Sequence, residues 1–156
     1  MKKIILILFI SICSIIFAIA GKVTSVYDGD TITIVTENNE KVKIRFYGID
    51  CPEVKPKQEF GIEARNYLNS LIYGKEVQVD IKDKDQYGRV VGEVYLKDKN
   101  INIEMLKKGY AWHYERYAKN RYDYKEAQKF AISNKKGLWS SNPIPPWEFR
   151  RNNKLK

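Results

Sequence analysis

Four carboxylates and two guanidinium groups stand where chemistry is possible: Asp28 and Asp30 on either side of Gly29, Asp50 and Glu53 three residues apart, Arg45 before them and Arg89 after. Two adjacent carboxylates repel unless a cation lies between them. With oxygen donors and no neighbouring histidine or cysteine pair, that ion is a hard one, Ca²⁺ or Mg²⁺. Arginine presents a planar fork matched to phosphate oxygens. Beside a cation, two such forks can neutralise the charge that builds when a phosphodiester becomes five-coordinate. Glu53, with a cation at Asp50, can hold the attacking water or take its proton. The same residues have plainer uses. Asp28-Gly29-Asp30 is a turn sequence, Arg45 and Arg89 can each pair with an acid on a strand wall, and Glu53 can pair with Lys55 or Lys57.

The elements that carry these residues decide between the two uses. Val23 and Val26 place a first strand over residues 21–28, and the Asp-Gly pair reverses the chain. Residues 31–36 alternate as a second strand, and Val42, Ile44 and Phe46 mark one face of a third. This three-stranded meander over 21–49 brings the first turn near the end of the third strand, and so Asp30 near Asp50. Pro52 and Pro56 keep the following loop out of a helix. From about Glu59 the spacing of Phe60, Ala64, Tyr67, Leu68, Leu71 and Ile72 is helical, ending at Gly74. Val77, Val79 and Ile81 mark a fourth strand, and residues 89–96 a fifth. Asn100 caps a helix over 101–108 closed by Gly109, and a third helix over 123–136 is closed by Gly137. The expected fold is α+β, mainly β: a five-stranded oligonucleotide-binding (OB-fold) barrel with about three helices over residues 21–142. Residues 143–156 form a proline-rich, then basic, tail, whose Arg150 and Arg151 read as frayed, with phosphate contact the alternative.

Length and charge set the remaining bounds. The chain of 156 residues suffices for one domain with a real core. Lys2, Lys3, the apolar run 4–17 and Ala18-Ile19-Ala20 predict a signal peptide over residues 1–20, cleaved near Ala20. The expected location is then secreted, periplasmic or in the cell envelope; an uncleaved anchor is the alternative, for which the run is short. Loss of Lys2 and Lys3 takes the net charge from +9 to +7, which points to a polyanionic partner. Cys13 leaves with the leader, so Cys51 has no disulfide partner. The single histidine, His113, lies far from Cys51, which argues against a Cys–His protease and against a zinc site. Tyr114 and Tyr117 either stack on bases or pack, and Trp112, Trp139 and Trp147 read as packing.

Three motifs, Asp28-Gly29-Asp30-Thr31, Arg45 to Glu53, and Asp85-Gln86-Tyr87-Gly88-Arg89, occur in the order found in the staphylococcal nuclease (thermonuclease) family, which residues 21–147 resemble. Gly109-Tyr110-Ala111-Trp112 and Gly137-Leu138-Trp139 resemble its later signatures. The resemblance implies a monomeric Ca²⁺-dependent phosphodiesterase that cuts DNA and RNA with little sequence preference and leaves 3′-phosphates. It implies Asp30, Asp50 and the backbone carbonyl of Cys51 as Ca²⁺ ligands, with Asp28 acting through water. Arg45 and Arg89 would hold the scissile phosphate, Glu53 would orient or deprotonate the water, and Tyr87 would touch a terminal phosphate. Tyr114 and Tyr117 fall in the region whose tyrosines line the family's nucleotide site. Three departures stand out: Cys51 replaces a threonine, Gln86 a lysine, and the loop over 54–60 is shorter than in the best-known member. The rival expectation is a non-catalytic nucleic-acid-binding barrel; a metal-dependent phosphatase of small esters comes third.

Overall fold

The structure is a computed structural model that describes residues 18–154, so the leader expected over 1–20 lies almost wholly outside the described residues. The chain forms β1 (Ala18–Val26), β2 (Thr31–Val35), β3 (Lys41–Phe46), β4 (Ile49–Asp50), α1 (Gly61–Ile72), β5 (Glu76–Lys84), β6 (Val90–Leu96), β7 (Lys99–Asn100), α2 (Ile101–Lys107), β8 (Trp112–His113), α3 (Glu115–Ala118), α4 (Tyr122–Ser133), a 3₁₀ turn (Gly137–Ser140) and α5 (Pro146–Asn152).

β1, β2 and β3 form the expected antiparallel meander, and β1 pairs on its other side with β5, which pairs with β6. β6 then pairs in parallel with β3, from Ile44 opposite Val90 to Phe46 opposite Gly92, and this closes five strands into a mixed barrel. The inward faces supply Val23, Ile32, Ile34, Ile44, Phe46, Val77, Val79 and Val94 to one core. The helices cover it as their spacing demands: α1 with Ala64, Leu68 and Ile72, α2 with Ile101, Met105 and Leu106, α4 with Tyr124 and Ala127.

The three expected helices are α1, α2 and α4, and two short ones join them. The tail is not frayed: Pro146 opens α5, its fixed φ matching the first turn of a helix. Arg89, expected on the fifth strand, lies in the turn before β6. β1 begins at Ala18, where Ala18, Ile19 and Ala20 pair with Asp80, Val79 and Gln78. A cut near Ala20 therefore leaves only Gly21 and Lys22 of β1 paired with β5. Among the described residues, no helix is long and apolar enough to cross a membrane.

Two glycines set the approach of the elements that meet below. A Cβ on Gly29 would lie 2.8 Å from Cys51 Cβ and Sγ, so the β1–β2 turn reaches the end of β4 only with glycine there. A Cβ on Gly61 would lie 2.1 Å from the carbonyl oxygen of Glu53, so the start of α1 touches the Glu53 backbone for the same reason.

Candidate active site

The register of the meander builds the centre. Thr31 stands opposite Arg45, and Phe46 N–H donates to the Asp30 carbonyl at 2.8 Å, which puts the Arg45 side chain beside Asp30. Nη1 of Arg45 lies 3.0 Å from Asp30 Oδ1, and Nη2 lies 3.0 Å from Asp50 Oδ1. The turn is locked on both sides of Gly29. Asp28 Oδ1 accepts the Asp30 N–H at 3.0 Å, and Asp30 Oδ2 accepts the Cys51 N–H at 2.7 Å. Asp30 and Asp50 are 4% and 1% exposed, two carboxylates carried into the protein on either side of one guanidinium.

The electrostatics follow from that burial. Desolvation pushes the Asp30 carboxyl well above the ordinary range; Arg45 opposes this, while Asp28 and Asp50 add to it. Desolvation also works against the charge on Arg45, but Asp30 and Asp50 outweigh it and raise the guanidinium further. Burial, then Asp30, push the Cys51 thiol well above its ordinary value, so this sulfur is not a nucleophile at neutral pH.

Glu53 does not pair with Lys55 or Lys57. Its Oε1 lies 2.7 Å from Nη1 of Arg150, whose Nη1 and Nη2 also donate to Asp50 Oδ1 (3.2 Å) and Oδ2 (2.7 Å). Desolvation lowers Arg150, but Asp50 and Glu53 outweigh it and hold the guanidinium above its ordinary value. Arg150, read from the sequence as part of a frayed tail with phosphate contact the alternative, instead stands beside Asp50 and Glu53, a place the sequence reading missed. The available signal was Pro145-Pro146-Trp147 as a helix start, which sets Trp147 and Arg150 one turn apart on one face. Trp147 stacks on Tyr114, centroids 5.2 Å apart and planes at 5°, and meets Trp112 edge-on. Gln58, also missed, is buried and ties three segments together. Its Oε1 accepts the Glu53 N–H at 3.0 Å, and its Nε2 donates to the carbonyl of Ile144 at 2.7 Å.

The remaining expected residues make no hydrogen bond or ion pair with Asp30, Asp50 or Glu53 among the described residues. Arg89 is held by its own turn, Nε donating to Asp85 Oδ2 at 2.7 Å; among the described residues its Nη1 and Nη2 make no hydrogen bond or ion pair. Tyr87 is 68% exposed beside it, with the Arg89 guanidinium 5.5 Å from its ring. Tyr117 is 61% exposed, but one face of Tyr114 is occupied by Trp147. His113 is buried with Nε2 2.9 Å from the Ala118 carbonyl, the structural place expected of it.

Could this centre hold a divalent cation? Among the described residues, no three His, Cys, Asp or Glu side chains converge as a metal-holding group. A cation here would draw on two aspartates, with backbone oxygen and water for the rest, a donor set of hard oxygens that suits Ca²⁺. Three acids meet at two arginines, Asp30 and Asp50 at Arg45 and Asp50 and Glu53 at Arg150, so two of the donors already share guanidinium partners.

A cleft of about 390 Å³ opens on the far side of Glu53, lined by Val26, Tyr27, Asp28, Glu53, Val54, Lys55 and Arg65. Lys55 and Arg65 form no ion pair among the described residues, so the cleft offers two free cations beside the carboxylates.

Comparison with known proteins gives the chain a family. Residues 43–141 match the family model described as staphylococcal nuclease homologue. An uncharacterized endonuclease of Haemophilus influenzae is 40% identical over 135 residues, covering 86% of this chain and 74% of its own. One of Escherichia coli is 40% identical over 152 residues, 96% of this chain and 97% of its own. A probable staphylococcal-like nuclease of Oryza sativa subsp. japonica is 44% identical over 112 residues, 71% of this chain but 29% of its own.

Proposed function

The chain belongs to the family of staphylococcal nuclease homologues and is a nuclease, and from that premise we propose a secreted, Ca²⁺-dependent endonuclease that hydrolyses DNA and RNA with little sequence preference. One observation carries the reading: Asp30 and Asp50 are buried on either side of Arg45, and Arg150 links Asp50 to Glu53 at their edge. Asp30, Asp50 and the Cys51 carbonyl would hold Ca²⁺, with Asp28 reached through water, and the ion would polarise a phosphoryl oxygen.

The chain's own residues then divide the reaction. Glu53 holds a water and takes its proton as the water's oxygen bonds to phosphorus. The bond from phosphorus to the 5′-oxygen breaks, that oxygen leaves and gains a proton, and the phosphate stays on the 3′ side. The Nη fork of Arg89, fixed in direction by Asp85 through Nε, receives the equatorial phosphate oxygens as charge builds on them. Arg45 keeps the two aspartates together and adds its charge to the same place. Tyr87 lies beside Arg89 for contact with a terminal phosphate, and Tyr117 is exposed for stacking on a base.

Single-stranded DNA incubated with the full chain should be cut in Ca²⁺ and left intact in a chelator, with 3′-phosphate ends on the products. Cleavage that survives the chelator overturns the metal dependence, and tight binding without cleavage gives the rival binding-module reading. The cleft beside Glu53 makes a separate prediction. If Lys55 and Arg65 each meet a backbone phosphate, replacing both by alanine lowers the slope of log affinity against log salt by ~1.4 for a single strand. Equal slopes for the two proteins would remove the cleft from the nucleic-acid path.

A further inference from the structure

We propose that Arg150 is an exchangeable counter-ion of the active site: it occupies Asp50 until the divalent cation arrives, then yields that carboxylate and turns its fork to the scissile phosphate. The proposal rests on the calcium reading above and adds a residue outside the matched family segment, residues 43–141.

The oxygens of the two aspartates show where the exchange must occur. Asp30 Oδ1 is taken by Arg45 and Thr31, and Asp30 Oδ2 by the Cys51 N–H. Asp50 Oδ1 receives both Arg45 and Arg150. Asp50 Oδ2 has one hydrogen-bond partner among the described residues, Nη2 of Arg150 at 2.7 Å. A cation that uses Asp50 as a ligand competes for that oxygen with Arg150 alone. Arg45 is not the group that gives way, because it spans both aspartates and also donates to the Phe46 carbonyl at 3.1 Å.

α5 is built so that Arg150 can leave without undocking the helix. The helix is held by other contacts: Trp147 stacked on Tyr114 and edge-on to Trp112, buried Pro146, and the Ile144 carbonyl bound by Gln58. Arg150 lies one turn from Trp147 at the end of a long, flexible stem, with its side chain 27% exposed. Once a divalent cation takes Asp50 Oδ2, the Arg150 fork keeps its Glu53 contact at 2.7 Å through Nη1 and has Nη2 free. That places a guanidinium beside the water-holding carboxylate, where a phosphate oxygen must come.

The test uses the full chain and reads binding, not turnover. Ca²⁺ is titrated calorimetrically, without nucleic acid, into the natural protein and an Arg150→Met variant, which keeps the stem and loses the fork. The variant should bind Ca²⁺ about tenfold tighter, the worth of one charge-assisted hydrogen bond no longer displaced. In saturating Ca²⁺ it should bind a phosphorothioate single-stranded oligonucleotide about tenfold more weakly. Ca²⁺ affinity that is unchanged or weaker in the variant overturns the exchange; unchanged oligonucleotide affinity overturns the turn to phosphate. Absence of Ca²⁺ binding in the natural protein overturns the calcium reading itself, and the exchange with it. A second measurement needs no core-altering variant. In the natural protein, the guanidinium NMR signal of Arg150, assigned by its loss in Arg150→Lys, should move on adding Ca²⁺. That of Arg121, paired with Glu93 and Asp123, should stay. A stationary Arg150 signal overturns the proposal.

Discussion

Glu53→Gln is expected to slow cleavage of single-stranded DNA by about 10²- to 10⁴-fold in saturating Ca²⁺, the usual contribution of a positioned general base. The substitution is nearly isosteric. Glutamine Oε1 can still accept from Arg150, and the Glu53 N–H to Gln58 bond belongs to the backbone, so the loop keeps its shape. What disappears is the ability to take a proton. The carboxylate is half-buried, its partner Arg150 is half-exposed, and neither belongs to the core, so thermal stability should move little. Substrate affinity should also hold, because Arg89 and the cleft cations are untouched. The informative measurement is therefore a single-turnover rate at saturating enzyme, beside a binding isotherm and a melting curve. A rate within a few-fold of the natural protein would place the base elsewhere and leave Glu53 as a loop ion pair. A large loss with lost binding would instead mean that the Asp50–Arg150–Glu53 arrangement had collapsed.

Which parts of this were legible beforehand depends on how far apart the partners lie in the chain. Asp30, Arg45 and Asp50 could be brought together from sequence because a meander of short turns joins them, and alternation fixes which side chains share a face. The closing parallel pair β3–β6 and the Gly29 approach to Cys51 follow from the barrel, not from any local period. Arg150 reaches Asp50 from 100 residues away, and only a helix-start signal in a proline-rich tail hinted that it was ordered. Arg89 shows the opposite limit. Its type and motif were legible, and the structure ties its Nε to Asp85 within its own turn, a contact set by the four-residue spacing of that turn. Tyr114 was open between stacking and packing, and Trp147, itself read as packing, takes one of its faces.

Glu93 was invisible for a different reason: a glutamate in the run Val90-Val91-Gly92-Glu93-Val94 reads as a solvent-facing strand position. It is in fact 3% exposed, and four side chains converge on it. Oε1 accepts from Arg121, from Asn100 Nδ2 at 2.9 Å and from the Tyr124 hydroxyl at 2.9 Å, and Oε2 lies 3.1 Å from Lys82. Arg121 also covers the Tyr124 ring at 3.9 Å and pairs with Asp123, so this cluster fastens α4 to the barrel. Removing the carboxylate leaves Nη1 of Arg121 and the buried Tyr124 hydroxyl without their acceptor, though Arg121 keeps Asp123. Glu93→Ala should therefore cost about 1–3 kcal/mol, the usual penalty for a buried polar group left without its partner, here the Tyr124 hydroxyl. Glu93→Gln, which still accepts hydrogen bonds, should cost less. Urea midpoints with unchanged m-values would measure both. The pH dependence carries a definite sign. Burial pushes the Glu93 carboxyl up, but hydrogen bonds from Arg121, Asn100 and Tyr124 outweigh it and hold it below its ordinary 4.5. A depressed acid binds fewer protons folded than unfolded, so its contribution is complete above that ordinary value and fades as pH falls through the lower, folded one. The natural protein should lose stability below pH 4.5 more steeply than Glu93→Gln. Parallel pH profiles would mean that Arg121 is neutralised by Asp123 alone and that the buried carboxylate holds α4 by shape, not by charge.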